Sequence, residues 1–467
     1  MIFSLIQPCL SYRDPLVGRD SIISLADGVG AQAFDSISRQ IANDPYNPGS
    51  FAWGWQYHAR GCLIMFNLTG NRKWLDWAVN ISDHFLAYSD VNGDGEPAWG
   101  NYNETWGNDR YDFREYTVWD GVIGLPIIET AKVILGNDAL SDNETLRSKA
   151  NAYVDLMERV VQRHHGSWNQ VDTDQGYYWD DPYEDVGPIV NRFTALGRVE
   201  LVLGDVTSNT SYYEKPGQMA NYMIANMRYD SDDDLYTWEY KYGEEGSEDI
   251  SHGAIELEFL IMANQRGLLE DVHLERLANT YLKRIWQLPQ ILDGKKLLSM
   301  KVDGTDYPQY DYSSISRGWA LLAPYSPEVF ESQRIVFGVI HEKRGMYASS
   351  VNLLGLAQIP LMAGSLEAQG TDPDSIRVVD LATIESMYDR ALGRLNETMS
   401  LGSEAISVIS LIDESAQHLN QNSLYNASIP GGLLYRAWEM LSRIEQTGLK
   451  LRDLVEGIEE AEELGVS

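Results

Sequence analysis

Apolar residues recur at helical spacing along most of the chain, and strand-like alternation is confined to short pieces such as Tyr236 to Tyr242. This predicts an all-α protein. The pattern also repeats, each copy holding a Gly/Ala-containing apolar helix, an amphipathic helix after a short polar turn, and a loop rich in Asp, Tyr and Trp. The first copy runs from FAWGWQYHARGCLIMF (51 to 66) through WLDWAVNISDHFLAY (74 to 88) into SDVNGDGEPAWGNYN. The second pairs YTVWDGVIGLPIIETAKVIL (116 to 135) with a helix over 144 to 163, the third GPIVNRFTALGRVELVLG (187 to 204) with one over 212 to 228, and the fourth ISHGAIELEFLIMANQ (250 to 265) with one over 274 to 288. Later copies begin with helices at 313 to 324 and 349 to 362.

Two helices per copy, repeated six or seven times, predict an (α/α)6 or (α/α)7 toroid in which inner helices line the axis and outer helices wrap them. An open solenoid shares the same unit. The toroid is the preferred reading, because long loops recurring at one end of each repeat would gather on one face and form a cleft. Residues 1–467 then make one domain, with 1–45 as a lid or an extra outer helix and 440–467 as a closing C-terminal helix.

Residues in the first turns of the inner helices should face that cleft, and the polar ones are few. They are Gln56 and His58, Trp119 and Asp120, Asn191 and Arg192, His252 with Glu256, Arg317, and Asn352. Each has a structural competitor. Asp120 and Asn191 are also suited to capping a helix or bonding a neighbouring backbone. Glu256 lies one turn beyond His252, which allows a catalytic pair or a hydrogen bond that orients the ring. Gln56 and His58, two residues apart, cannot share a helix face, so only one can serve the cleft.

Aromatic residues crowd the loops and helix starts: Trp53, Trp55, Trp99, Tyr102, Trp168, Tyr177, Tyr178, Trp179, Tyr236, Trp238, Tyr240, Tyr307, Tyr310 and Tyr312. Flat rings with polar edges suit the apolar C–H faces of sugars; the same rings could instead plug the loops onto the helices. Asp90, Asn92 and Asp94 in DVNGDG resemble the start of a calcium loop, but Asn101 stands where the bidentate Glu belongs. A turn without metal is the favoured reading, and no cofactor is expected. No Walker loop, dinucleotide fingerprint, zinc-protease helix or nucleophile elbow is present.

Charge narrows the partners. With 36 basic and 69 acidic side chains in 467 residues the net charge is −33, which argues against a nucleic-acid partner. Such acidity also suits a salty medium. No apolar run reaches the length of a membrane helix. Cys9 and Cys62 allow one bridge at most. The first ten residues make a poor signal peptide, while seven Asn-x-Ser/Thr sequons, from Asn67 to Asn426, hint at export, so a secreted or extracellular protein is expected. Oligomeric state is left open.

The helix-pair repeats, the aromatic loops and the set Asn191, His252 and Tyr307/Tyr310/Tyr312 resemble the toroidal polysaccharide lyases that act on uronate polymers such as alginate and glucuronan. The resemblance spans about residues 50 to 360 and is architectural. It implies that Asn191 in VNRF and His252 in ISHGA neutralise a uronate carboxylate, and that Tyr307 or Tyr310 is base and acid in β-elimination. The chemistry is consistent, since a developing enolate needs donors already in place. A phenol, with a pKa of about 10, needs a nearby cation such as Lys301 or Arg317 to act as base. Gln56, His58, Trp119, Asp120, Arg192, Trp179, Trp238, Tyr240, Glu256 and Tyr312 are then the expected substrate-binding residues. The net charge of −33 departs from that picture unless the cleft is locally basic. Two alternatives remain: a glycoside hydrolase using Asp120 and Glu256 as its carboxylate pair, and a non-catalytic glycan-binding toroid.

Overall fold

The computed structural model describes residues 19–101, 113–179, 188–286, 298–305, 317–344 and 349–376, and the fold is all-α. Tyr102, Tyr307, Tyr310, Tyr312 and the expected closing helix at 440–467 lie outside the described residues.

Two kinds of helix alternate. Helices α2 (Gln56–Thr69), α4 (Thr117–Leu135), α6 (Val190–Thr207), α8 (Ile250–Asn264) and α11 (Ser350–Ala368) are buried on nearly every side, as helices apolar all round must be. Between them come helices with one apolar stripe, α3 (Arg72–Ala87), α5 (Glu144–His164), α7 (Glu214–Asn226) and α9 (Asp271–Thr280), and α10 (Pro327–Arg344), which is buried all round from Val329 to Arg334. Helix α1 (Arg19–Asn43) buries Ile22, Ala26, Val29, Ala33 and Ile37, a helical stripe, against α11 and α2.

Contacts between the buried helices follow chain order. Helix α2 packs on α4, α4 on α6, α6 on α8, and α8 on a short 3-10 turn, Trp319–Leu322; that turn meets α11, and α11 packs back on α2. The striped helices cover the outside, α3 over α2 and α4, α5 over α4 and α6, α7 over α6 and α8. The close approach of α4 to α6 depends on Gly121, where a Cβ would lie 2.3 Å from the Ala195 carbonyl carbon.

Two expectations are corrected. The helix expected over 313 to 324 is, in its described part, only the Trp319 turn. Gly318 precedes it at φ +88° and Pro324 follows without an N–H donor. The loops before α4, α6 and α8 are not irregular, because each carries a two-stranded antiparallel hairpin. These are β1 (Gly100–Asn101) with β2 (Arg114–Glu115), β3 (Trp168–Asp172) with β4 (Gln175–Tyr178), and β5 (Arg228–Asp230) with β6 (Leu235–Thr237). Each hairpin follows a striped helix and feeds the N-terminus of a buried one.

Candidate functional site

Helix α2 is set by Asn47, whose side chain accepts from the Ser50 backbone N–H at 2.9 Å, and by Pro48 at the first helical position. A π-helical turn, Phe51–Trp55, follows and carries half-buried Trp53. Beside Trp53 a groove of about 530 Å³ opens, lined by Gln40, Asn47, Ser50 and Ser349 among others.

Helix α8 begins at Asp249. Its Oδ1 caps the backbone N–H groups of Ser251 (2.8 Å) and His252 (3.0 Å), leaving Oδ2 2.7 Å from His252 Nδ1. Glu248 Oε1 approaches the same nitrogen at 3.4 Å. Burial pulls His252 down, but hydrogen bonds to Asp249 and Glu248 and their charges outweigh it and lift the imidazole to about 9. The His252 ring stacks on Tyr240 with centroids 5.3 Å apart, and Trp53 lies 6.5 Å away. Residues from the starts of α2 and α8, which do not adjoin in the order of packing, therefore meet at one place. Glu248, Asp249 and His252 bring three ligand-type atoms within 4.8 Å of one another, so they could hold a metal ion.

Behind His252, Glu256 is wholly buried. Its Oε2 accepts from Trp238 Nε1 at 2.5 Å, and desolvation together with the neighbouring Glu248 raises its pKa. Asn191 is in the first turn of α6, 3% exposed, and its Oδ1 has no hydrogen-bond partner. Arg192 lies over the Tyr116 ring at 5.2 Å. Arg317 sits 3.8 Å over the Tyr57 ring and donates to its hydroxyl. Arg114 and Lys241, both buried, also precede the N-termini of α4 and α8. The cationic groups at this end are matched by carboxylates: Lys241 lies 3.0 Å from Glu244, and Glu248 and Asp249 meet His252.

One or two turns deeper, the helices are tied by ions. Arg60 of α2 donates to Glu129 of α4 at 3.0 Å and to Glu258 of α8, and Arg198 of α6 reaches Glu258 at 2.5 Å. Burial raises Glu258, yet the two guanidiniums prevail and hold it at about 2. Asn191 lies seven residues before Arg198 on the same face, and Tyr57 three before Arg60, so both stand over this cluster.

Several expected site residues do other work. His58 is fully buried, stacked 5.7 Å from Phe34 of α1 and 6.1 Å from Trp77 of α3, and burial lowers it to about 3. It therefore faces the striped helices and is a neutral core ring. Gln56 is buried at the exit of the π turn. Asp120 is wholly buried: Oδ1 accepts from the Trp99 backbone N–H at 2.9 Å, and Oδ2 lies 2.8 Å from His164 Nε2. With both oxygens committed, it anchors the loop carrying Trp99. Trp119 is buried edge-on to Tyr116. Asn352 is buried in the first turn of α11, where its N–H meets Ser349.

Most of the loop aromatics are corrected likewise. Trp99, Tyr177, Tyr178, Tyr236 and Trp238 are buried and plug the hairpins onto the helices, and Trp55 is buried in the π turn, bonded to Gln40, whereas Tyr240 is exposed and Trp53, Trp168 and Trp179 are half-buried. In the 90 to 94 turn, Asp94 accepts from Glu96 N–H and Asn92, and Asp90 from Gly95 N–H, while Arg163 supplies a cation 3.8 Å from Asp94. That turn is held by its own backbone and an arginine. Cys62 is buried and unbridged.

Sequence reasoning missed Glu248 and Asp249. Their signal was present: two adjacent carboxylates three and four residues before His252 at a helix start. No family model matches the chain, and no curated protein matches it. Among the described residues, no helix is long and apolar enough to cross a membrane.

Proposed function

We propose that the protein is a polysaccharide lyase that cleaves a uronate-containing glycan by β-elimination, on six helix pairs closed into an (α/α) toroid. Return packing of α11 on α2 supports the closed form, with α1 as the sixth outer helix. The observation that carries the chemistry is the placing of Arg192 and Arg317, with Asn191 and His252, at the N-terminal ends of the inner helices. The positive ends of the helix dipoles there favour an anionic substrate group. In this reading Asn191 and His252 face the uronate carboxylate, and Arg192 and Arg317 supply further charge. They stabilise the enolate formed when the proton next to that carboxylate leaves. Tyr57 keeps Arg317 in place. Tyr240 and Trp53 offer ring faces to the sugar beside the groove. The phenol that moves the proton is assigned to Tyr307 or Tyr310. A secreted, extracellular protein remains the proposed setting.

Asp120 and Glu256 do not favour the hydrolase alternative, since one is consumed in loop anchoring and the other lies under Trp238. Incubation with alginate, glucuronan and neutral glycans separates the readings. Elimination produces an ultraviolet-absorbing unsaturated uronate; hydrolysis produces new reducing ends without it; a binding protein produces neither. With the uronate polymer that is cut, Asn191→Ala should lower kcat/KM by about 100-fold or more. An unchanged rate in that variant would refute the assignment.

A further inference from the structure

We propose that Glu248, Asp249 and His252 form a binding site for one divalent transition-metal ion of the Mn²⁺ or Zn²⁺ class. The backbone pre-forms it. Because Asp249 Oδ1 is fixed as the cap of α8, its Oδ2 is directed at His252 Nδ1, 2.7 Å away, with Glu248 Oε1 on the other side at 3.4 Å. Ligands sharing one ion at bonds of about 2.0–2.2 Å stand roughly 3 Å apart, so only small adjustments are needed.

A separate observation also points to a cation. Glu256 contributes no ligand to the trio, but it is wholly buried against Glu248, and among the described residues protonated Glu256 is the one donor that reaches the buried Glu248 carboxylate besides His252 and the Asp249 N–H. Three carboxylates thus surround one imidazole, and among the described residues no lysine or arginine is ion-paired with Glu248, Asp249 or Glu256. One imidazole supplies at most a single positive charge against them, and a divalent ion against Glu248 offsets the remaining cost of burying negative charge.

Ligand type selects the ion. Carboxylate oxygens alone would suit Ca²⁺ or Mg²⁺, whereas an imidazole nitrogen shifts preference to the first-row transition metals. Binding displaces the proton from His252 Nδ1. Since Tyr240 and Trp53 flank His252, the bound ion stands where the substrate carboxylate is proposed to arrive. Its catalytic role rests on the lyase reading, but its binding does not.

Titration of the metal-free full chain with MnCl2 and ZnCl2 by calorimetry should show one equivalent bound, with Ca²⁺ and Mg²⁺ at least tenfold weaker. Glu248→Gln and His252→Ala should each weaken Mn²⁺ binding at least tenfold, and Asp94→Asn should leave it unchanged. Circular dichroism of each variant confirms that it folds; if Glu248→Gln does not, His252→Ala and the wild-type melting shift with Mn²⁺ decide. No saturable binding, or binding indifferent to both substitutions, overturns the site. Metal bound without elimination on any uronate polymer leaves the site standing and removes the lyase reading. Elimination by a chain that binds no metal does the reverse.

Discussion

The two ends of the buried helices differ in how their polar groups are matched. At the C-terminal end a cavity of about 1310 Å³ is lined by Arg60, Asn67, Lys132, Glu258, Arg266 and Gln369 among others. Its charges are largely paired: Lys132 lies 2.6 Å from Asp205, Arg266 grips the same carboxylate, and Arg60 is tied to Glu258 and Glu129. At the N-terminal end the groove beside Trp53 is smaller, about 530 Å³, and apart from its lining Asn191 and Glu248 each have a buried oxygen without a partner. Buried polar atoms left unpaired are costly to keep, and they mark the place where a ligand completes the bonding. Size alone would have directed attention to the other end.

That contrast is sharpest in the response to mutation. Glu258→Ala removes the shared partner of Arg60 and Arg198 and strands two buried guanidiniums, so unfolding in urea should show a loss of about 3–5 kcal/mol. An equally large loss on His252→Ala would erase the distinction; the expected change there is smaller, about 2 kcal/mol, because the ring is partly exposed, with activity and metal binding falling as well.

Between these extremes lies Glu200 of α6, wholly buried and bonded at 2.7 Å by the Tyr178 hydroxyl. Desolvation lifts it from 4.5 to about 7, against the pull of Tyr178, Lys215 and His164. Between those values the unfolded chain has lost the proton that the folded chain keeps, so stability should fall as pH rises from about 4.5 to 7. The span corresponds to about 3 kcal/mol at most. Glu200→Gln should flatten that stretch of the stability-against-pH curve; a slope identical to wild type would show that another group is responsible. The smallest effect is expected at Asp94, half-exposed in its turn, where Asp94→Asn should cost about 1 kcal/mol or less by thermal melting.

Much of the fold was legible because two physical signals agreed. Helices such as α4 and α8 are apolar all round, their neighbours α3 and α5 carry a single stripe, and the two alternate with short polar turns. The Trp319 segment resisted because Gly318 and Pro324 override its apolar pattern. The site was legible only in part. First-turn placement named Asn191, His252, Arg192 and Arg317, which the proposed site uses, but the same rule swept in His58, whose side of α2 faces Phe34 and Trp77. Aromatic content could not distinguish rings that seal a hairpin, such as Trp99 and Tyr178, from rings such as Tyr240 that face outward, because burial depends on partners distant in sequence. Glu248 and Asp249 read as ordinary acidic loop residues until the α8 start brings them onto one imidazole.

The most direct test is a crystal structure of the protein with a uronate oligosaccharide of alginate or glucuronan. The sugar is predicted at the N-terminal end, its carboxylate within hydrogen-bond reach of Asn191 or Arg317 and a ring against Tyr240 or Trp53. An oligosaccharide seated instead in the opposite cavity, beside Asn67, Gln369 and Arg266, would contradict the account.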